Sequence, residues 1–222
     1  MMGIVKRLLP DRPTPMTVWR GPFRGARIVA NPRASLRKVC GIYEHELNGW
    51  LSAALPRAHR LIDVGANDGY FSFGAAAALR RAGRSAEIIC FEPDPRHLEE
   101  LRRAIDIQRA PGPAMTLIDA MVGDCECAGT TTLDHLAVAD RDNTLIKIDV
   151  EGAEIAVIAG AQSWLRPSNL FLIEVHRAAY VEPLMKTFAD RGLELRQIDQ
   201  RPLPIVGGEM RDPDNRWLVS SL

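Results

Sequence analysis

Residues 61–71 read Leu-Ile-Asp-Val-Gly-Ala-Asn-Asp-Gly-Tyr-Phe (LIDVGANDGYF), and this stretch decides the fold. An apolar run contains an acid at Asp63, and Gly65 and Gly69 bracket the turn that follows. Glycine lets a backbone turn sharply and approach a ligand closely. The stretch therefore predicts a buried strand, a ligand-binding turn and the start of a helix.

Strands and helices alternate from this unit to the C-terminus. Apolar runs predict strands at residues 60–64, 86–92, 115–122, 144–150, 169–176, 193–199 and 216–221. The spacing of apolar residues and the stop signals predict helices at residues 69–81, 95–109, 132–139, 153–165 and 181–190. Apolar strands that alternate with helices indicate an α/β fold, in which a mostly parallel sheet is covered on both faces.

Composition excludes several classes of protein. The 222 residues carry 28 basic and 28 acidic side chains, so we expect no nucleic-acid partner, because a general nucleic-acid binder shows a basic excess. We expect no membrane insertion and a cytoplasmic location, because no apolar run is long enough to span a bilayer. The pair Cys125 and Cys127 lacks a second Cys/His pair at zinc spacing, which favours free thiols.

Acidic residues stand at the predicted ends of five consecutive strands. They are Asp63, Glu92, Asp119, Asp149 and Glu174, and His176 follows two residues after the last. Ligands of such sheets bind at the carboxyl ends of the strands, so these acids favour a polar ligand with donor groups.

The glycine turn favours one cofactor over another. Its order, G-A-N-D-G, departs from the dinucleotide pattern G-x-G-x-x-G, and Asp68 at the helix start would repel a pyrophosphate. Asp63 suits an ammonium group, and Glu92 suits the two hydroxyls of a ribose. These features together indicate S-adenosylmethionine in preference to NAD.

Five segments in order resemble the FkbM family of S-adenosylmethionine-dependent methyltransferases. They are LIDVGANDGYFSF (61–73), CFEPDP (90–95), TLDHL (132–136), LIKIDVEGAEIAVIAGA (145–161) and LFLIEVH (170–176), and GIYEHELNGWL (41–51) resembles the family's preceding segment. The resemblance covers roughly residues 41–180. It implies a class I methyltransferase domain at 41–222, a Rossmann-like seven-stranded sheet of order 3-2-1-4-5-7-6, and O-methylation of a hydroxyl on a sugar, glycan or natural product.

The resemblance also implies the cofactor site. Cofactor-binding residues are expected to be Asp63, Gly65, Ala66, Asn67, Gly69, Glu92, Pro93, Asp119, Ala120, Met121 and Asp149. Asp63, Gly65, Asn67 and Gly69 belong to the methionine end, Glu92 to the ribose, and Asp119 to Met121 to the adenine. The family usually has an apolar residue in place of Asp68, so the pocket is expected to differ slightly there. The segment between the third strand and TLDHL is also short, so the acceptor side is expected to be trimmed.

The predicted catalytic residues are His176, Glu174 and Asp149. His176 is the candidate base, because an imidazole titrates near neutrality and a hydroxyl is a weak nucleophile. The same three side chains suit a divalent cation, magnesium or manganese, which would lower the pKa of the hydroxyl. We favour the metal-free base and predict no metal ligands, since histidine is an unusual ligand for magnesium.

Two further hypotheses belong to other classes. One is an NAD-linked oxidoreductase, which the glycine spacing disfavours, and the other is a catalytically inactive cofactor-binding module. Residues 1–40 are rich in Pro, Arg and Gly and predict an arm or irregular hairpin, which is expected to lie over the acceptor site.

Overall fold

The computed structural model describes residues 10–108, 114–203 and 215–222. The first half contains β1 (Thr14–Thr17), β2 (Arg27–Ala30), α1 (Pro32–Cys40), α2 (Asn48–Ala54), β3 (Arg60–Val64), α3 (Tyr70–Arg81), β4 (Glu87–Phe91) and α4 (Pro95–Asp106). The second half contains β5 (Met115–Ile118), β6 (Met121–Val122), β7 (Thr130–Thr131), β8 (Thr144–Ile148), α5 (Glu154–Ala159), β9 (Leu170–Val175), α6 (Val181–Ala189), β10 (Leu195–Ile198) and β11 (Arg216–Ser220).

The centre of the molecule is a seven-stranded sheet with the order β5-β4-β3-β8-β9-β11-β10. Numbered along the chain within the sheet, this is 3-2-1-4-5-7-6, as predicted. Pairings are parallel from β5 to β9, and β11 runs antiparallel to both β9 and β10. The carboxyl ends of β3, β4, β8 and β9 therefore meet at one edge.

Helices cover both faces of the sheet. Side chains at alternate strand positions enter two apolar clusters, so that Leu61 joins the cluster with α2, α3 and α4, and Ile62 joins the cluster with α5 and α6. The strand interiors are almost fully buried, which explains the continuous apolar runs. No helix in the described ranges is long and apolar enough to cross a membrane.

The N-terminal segment is more regular than the sequence predicts. Strands β1 and β2 pair as an antiparallel hairpin, and Asn31 caps α1 by accepting a hydrogen bond from the Arg33 backbone N–H at 2.9 Å. Phe23 packs edge-on against the rings of Tyr70 and Phe71 at centroid distances of 5.2 and 5.8 Å. The segment thus shares the main core through α3, and its predicted position over the acceptor stays a prediction.

Several predicted elements are shorter in the structure, and three of them are divided or reduced to a turn. The predicted helix at 132–139 is one 3-10 turn, because the Arg141 guanidinium takes the carbonyls of Asp134 and Leu136 that a longer helix would use. The predicted helix at 153–165 ends as α5 at Ala159 and is followed by a separate turn at Gln162–Trp164. The predicted strand at 115–122 divides into β5 and β6, because the Met121 N–H turns away to the Gly129 carbonyl.

Candidate active site

A cavity of about 630 Å³ opens at the carboxyl ends of β3, β4, β8 and β9. Nine predicted site residues line it, namely Gly65, Asn67, Glu92, Pro93, Ala120, Met121, Asp149, Glu174 and His176. Four others do not line it, namely Asp63, Ala66, Gly69 and Asp119. The structure therefore brings together most of the predicted residues, at the sheet edge where they were expected.

The two glycines of the turn are required by the packing of the protein itself. Gly65 has a φ of +79°, and a Cβ there would lie 1.9 Å from the Asp149 carbonyl oxygen. Gly69 has a φ of +77°, and its Cβ would meet the side chains of Phe73 and Leu101 at 2.5 and 2.6 Å. Gly65 keeps the ends of β3 and β8 close together, and Gly69 leaves room for the packing of α3 against α4. The predicted contact of Gly69 with the cofactor stays a prediction.

Asp63 does not line the cavity, so the structure does not place it at its predicted contact with the cofactor's ammonium group. Its side chain is fully buried, and Oδ2 accepts a hydrogen bond from the Ser72 hydroxyl at 2.5 Å. Its Oδ1 lies 3.4 Å from the Nζ of Lys147, an ammonium group supplied by the protein. The acid at the end of β3 therefore pairs internally.

Lys147 is a functional candidate that the sequence analysis missed. It lies in β8 and is buried, and its Nζ donates to the Gly65 carbonyl at 3.0 Å and lies 3.1 Å from Asp149 Oδ2. Burial lowers the pKa of this amine, but the carboxylates of Asp149 and Asp63 outweigh burial and raise it. Burial raises the pKa of Asp63, and the charge of Lys147 opposes that shift. A lysine inside the apolar run TLIKI was the sequence pattern that could have indicated it.

Glu92 joins the glycine turn to the start of α4. Its Oε2 accepts the Asn67 N–H at 2.7 Å and its Oε1 accepts the Asp94 N–H at 2.9 Å. Asp94 in turn caps α4 by accepting the Arg96 N–H at 2.8 Å, as the sequence predicts. Each carboxylate oxygen of Glu92 keeps acceptor capacity for a ligand hydroxyl, and the residue lines the cavity.

His176 lies between two carboxylates from neighbouring elements. Its Nδ1 is 2.8 Å from Glu154 Oε1, and its Nε2 is 3.6 Å from Asp149 Oδ1. The hydrogen bond to Glu154 raises the pKa of His176, burial opposes this shift, and the charges of Asp149 and Glu174 reinforce it. Asp63, Lys147, Asp149, His176 and Glu154 thus form a continuous row of ionisable groups across the edge of the sheet.

Glu174 completes the cluster from β9. It is buried and its Oε1 accepts a hydrogen bond from the Asn215 side-chain amide at 3.2 Å. Ligand atoms of Asp149, Glu174 and His176 all lie within 4.8 Å of one another, so the spacing allows a shared divalent cation. The three predicted catalytic residues are therefore adjacent.

Asp68, the departure from the family pattern, faces the N-terminal segment. Its Oδ2 lies 2.6 Å from Lys38 Nζ of α1, and the same ammonium group stands 5.1 Å from the ring centroid of Tyr43 and 5.5 Å from that of Tyr70. Tyr43 lines the cavity. Asp68 therefore attaches α1 to the glycine turn, and Tyr43 links this contact to the cavity.

Comparisons with known proteins agree with the resemblance found in the sequence. A model of the methyltransferase FkbM domain matches residues 122–197. The crystal structure of methyltransferase FkbM from Methylobacillus flagellatus is similar with a TM-score of 0.56 at 20% identity, over 74% of this chain and 44% of that one. This chain therefore spans less than half the length of that protein. No curated protein gives a significant match.

Two further solved structures share the fold. A precorrin-6y C5,15-methyltransferase from Geobacter metallireducens aligns over 79% of this chain and 87% of its own, with a TM-score of 0.52 at 12% identity. TYW2 from P. horikoshii, solved in complex with MeSAdo, aligns over 95% of this chain and 70% of its own, with a TM-score of 0.56 at 12% identity. The predicted class I methyltransferase fold and the predicted resemblance to FkbM proteins are thereby confirmed.

Proposed function

From its FkbM methyltransferase domain and its cavity, we propose that this protein uses S-adenosylmethionine to methylate a hydroxyl group on a sugar, glycan or natural-product small molecule. One observation carries the proposal. Glu92 lines one part of a single cavity, and Asp149, Glu174 and His176 line another. The proposed ribose-binding carboxylate of Glu92 and the proposed proton acceptor His176 thus line the same cavity.

The residues of the cavity fit this cofactor. Glu92 has acceptor capacity for the two ribose hydroxyls, and Phe91, Met121 and Val122 supply apolar surface beside it for a purine ring. Asp149 lines the cavity, and its Oδ2 pairs with the buried Lys147. In this proposal Asp149, and not the buried Asp63, is the acid available to the ammonium group of the cofactor. Gly65, Asn67, Pro93 and Ala120 complete the proposed site.

The proposed chemistry needs a proton acceptor. When bound, S-adenosylmethionine supplies a methyl carbon made electrophilic by its sulfonium, and methylation of a hydroxyl releases one proton. His176 Nε2 is placed to accept that proton, because its Nδ1 is engaged by Glu154. Glu174 and Asn215 present a fixed carboxylate and amide that can orient the acceptor, and positioning supplies much of the rate.

The charge of the cavity limits the class of acceptor molecule that we propose. Its ionisable lining residues within the described ranges are five carboxylates, two histidines and one tyrosine, with no lysine or arginine. A phosphate-rich acceptor would need basic partners to offset its charge. We therefore propose an acceptor without phosphates, and not a nucleic acid.

Methyl transfer from radiolabelled S-adenosylmethionine to a panel of glycosides and other alcohols tests the proposal. Label should enter at least one alcohol and no RNA, His176→Ala should lose turnover by a factor of about 100 to 10,000, and chelator should have no effect. Label entering RNA alone would overturn the proposed acceptor class. Activity that chelator abolishes and magnesium restores would show that a cation, not His176, activates the hydroxyl.

A further inference from the structure

Glu154 is a buried acid that contacts the proposed base His176 and has no assigned role of its own in the proposed chemistry. It is the first residue of α5 and is fully buried, although the cavity lies beside its neighbours. Acids at helix starts are common because the helix dipole stabilises them, so position alone assigns this residue no role. Its contacts are more specific than a helix start requires.

The first contact fixes the hydrogen on the His176 ring. Glu154 Oε1 lies 2.8 Å from His176 Nδ1. Its pKa is below the usual value, since hydrogen bonds from His176 and Gly152 outweigh the opposing effect of burial, so the group is an ionised carboxylate near neutrality. A carboxylate only accepts hydrogen bonds, so Nδ1 of a neutral His176 must carry the hydrogen. Nε2 then presents its lone pair beside Asp149, whose Oδ1 is 3.6 Å away.

The second contact fixes the turn that follows Asp149. The same Oε1 of Glu154 accepts the Gly152 N–H at 2.9 Å. This turn is locally strained, because Glu151 has a φ of 48° and Gly152 a φ of 104°. One carboxylate thus holds both the chain that leaves β8 and the imidazole that follows β9.

We infer that Glu154 is a positioning residue, which holds His176 in the tautomer whose Nε2 faces the cavity as proton acceptor. The inference rests on the proposed function, because it assigns His176 its form in that reaction. Glu154 touches neither cofactor nor acceptor in this scheme and acts only through His176. The arrangement is the general one in which a buried carboxylate orients a catalytic imidazole.

Histidine-¹⁵N-labelled wild-type protein tests the tautomer without any substrate. At a pH where the ring is neutral, the His176 signal, assigned by its loss in His176→Ala, should show hydrogen on Nδ1 and a bare Nε2. In Glu154→Gln the side-chain amide can donate to Nδ1, so the signal should move toward the form with hydrogen on Nε2. A wild-type spectrum with hydrogen on Nε2 would overturn the inference.

A double-mutant cycle on methyl transfer tests the route of action. Glu154→Gln should lower kcat by roughly a hundredfold or more, with the KM for S-adenosylmethionine little changed. In the His176→Ala background the same substitution should lower kcat no further, because its effect passes through the imidazole. Glu182→Gln, an exposed acid in the first turn of α6, serves as the control and should leave kcat unchanged.

The outcomes of the two experiments are separable. If Glu154→Gln lowers kcat by the same factor in the presence and absence of His176, the role of Glu154 is merely structural and the inference is overturned. A wild-type chain that transfers no methyl group but shows the Nδ1–H tautomer would contradict the proposed function and leave the positioning contact standing.

Discussion

Replacing Lys147 with methionine should destabilise the fold far more than loss of an ordinary ion pair. Lys147 Nζ lies between the Gly65 carbonyl at 3.0 Å, Asp149 Oδ2 at 3.1 Å and Asp63 Oδ1 at 3.4 Å. Its side chain is 8% exposed and that of Asp63 is 0% exposed. Breaking a buried pair by removing one partner costs about 3–5 kcal/mol, because the remaining charge is stranded.

The stability that Lys147→Met loses relative to wild type should increase as pH rises. Without Lys147, the buried Asp63 should keep a proton that its unfolded form releases, since burial already raises its pKa. When the pKa of a carboxyl is higher in the folded state than in the unfolded chain, the fold loses stability as pH rises above the pKa of the unfolded chain. The loss is about 1.4 kcal/mol per pH unit until the pKa of the folded state is reached. Lys147→Met should therefore be less stable at pH 8 than at pH 5, relative to wild type.

Urea unfolding of matched variants measures both effects. Lys186→Met is the control, because it removes an exposed pair, 2.6 Å from Asp190, that contributes about 0–1 kcal/mol. Adding Asp63→Asn to Lys147→Met removes the buried carboxyl that must be stranded as a charge or held protonated, so the double variant should recover part of the lost stability and lose the pH dependence. A Lys147→Met protein within 1 kcal/mol of the Lys186→Met control would refute the reasoning.

Three further predictions concern the turn, the ribose site and the histidine pair. Gly65→Ala should lower the free energy of unfolding clearly more than Gly83→Ala does. Both glycines have a positive φ, which costs an alanine about 1–2 kcal/mol, but of these two only Gly65 would bring a Cβ within 1.9 Å of a backbone oxygen. Equal decreases in Tm for the two variants would contradict this. Glu92→Ala should weaken S-adenosylhomocysteine binding about ten- to a hundredfold by calorimetry, the cost of one charge-assisted hydrogen bond, whereas Glu99→Ala on the exposed face of α4 should not. The Glu154–His176 pair should stabilise the fold most between about pH 4.5 and 6.5. The lowered pKa of Glu154 adds stability that is lost on acidification, and the raised pKa of His176 adds stability that is lost as pH rises through that pKa. A Glu154→Gln, His176→Gln double variant whose loss of unfolding free energy relative to wild type is constant from pH 4 to 9 would rule this out.

The fold could be predicted because its determinants are local. The buried strand at Arg60–Val64, the αL glycine before α3 and the Asp94 cap of α4 each follow from residue types within a few positions. The order of the sheet came from the resemblance of five segments to a known family, and the structure confirms it. The predicted length of an element was wrong where a side chain beyond its end intervened, as Arg141 does after the turn at Leu133–His135.

The candidate site was predictable only in part. Strand ends place Glu92, Asp149, Glu174 and His176 at one edge, and the topology then brings them together. Pairing between strands is not local, so the sequence could not show that Lys147 on β8 would take Asp63 on β3 away from a ligand. Glu154 likewise had the features of an ordinary helix-start acid, until the end of β9 set His176 against it.

A crystal structure with S-adenosylhomocysteine bound tests the central claim most directly. We predict the ribose hydroxyls within about 3.2 Å of the Glu92 carboxylate, and the sulfur directed toward the group formed by Asp149, Glu174 and His176. A product bound with its ribose away from Glu92, or with its sulfur facing away from His176, would contradict the proposed site and the chemistry built on it.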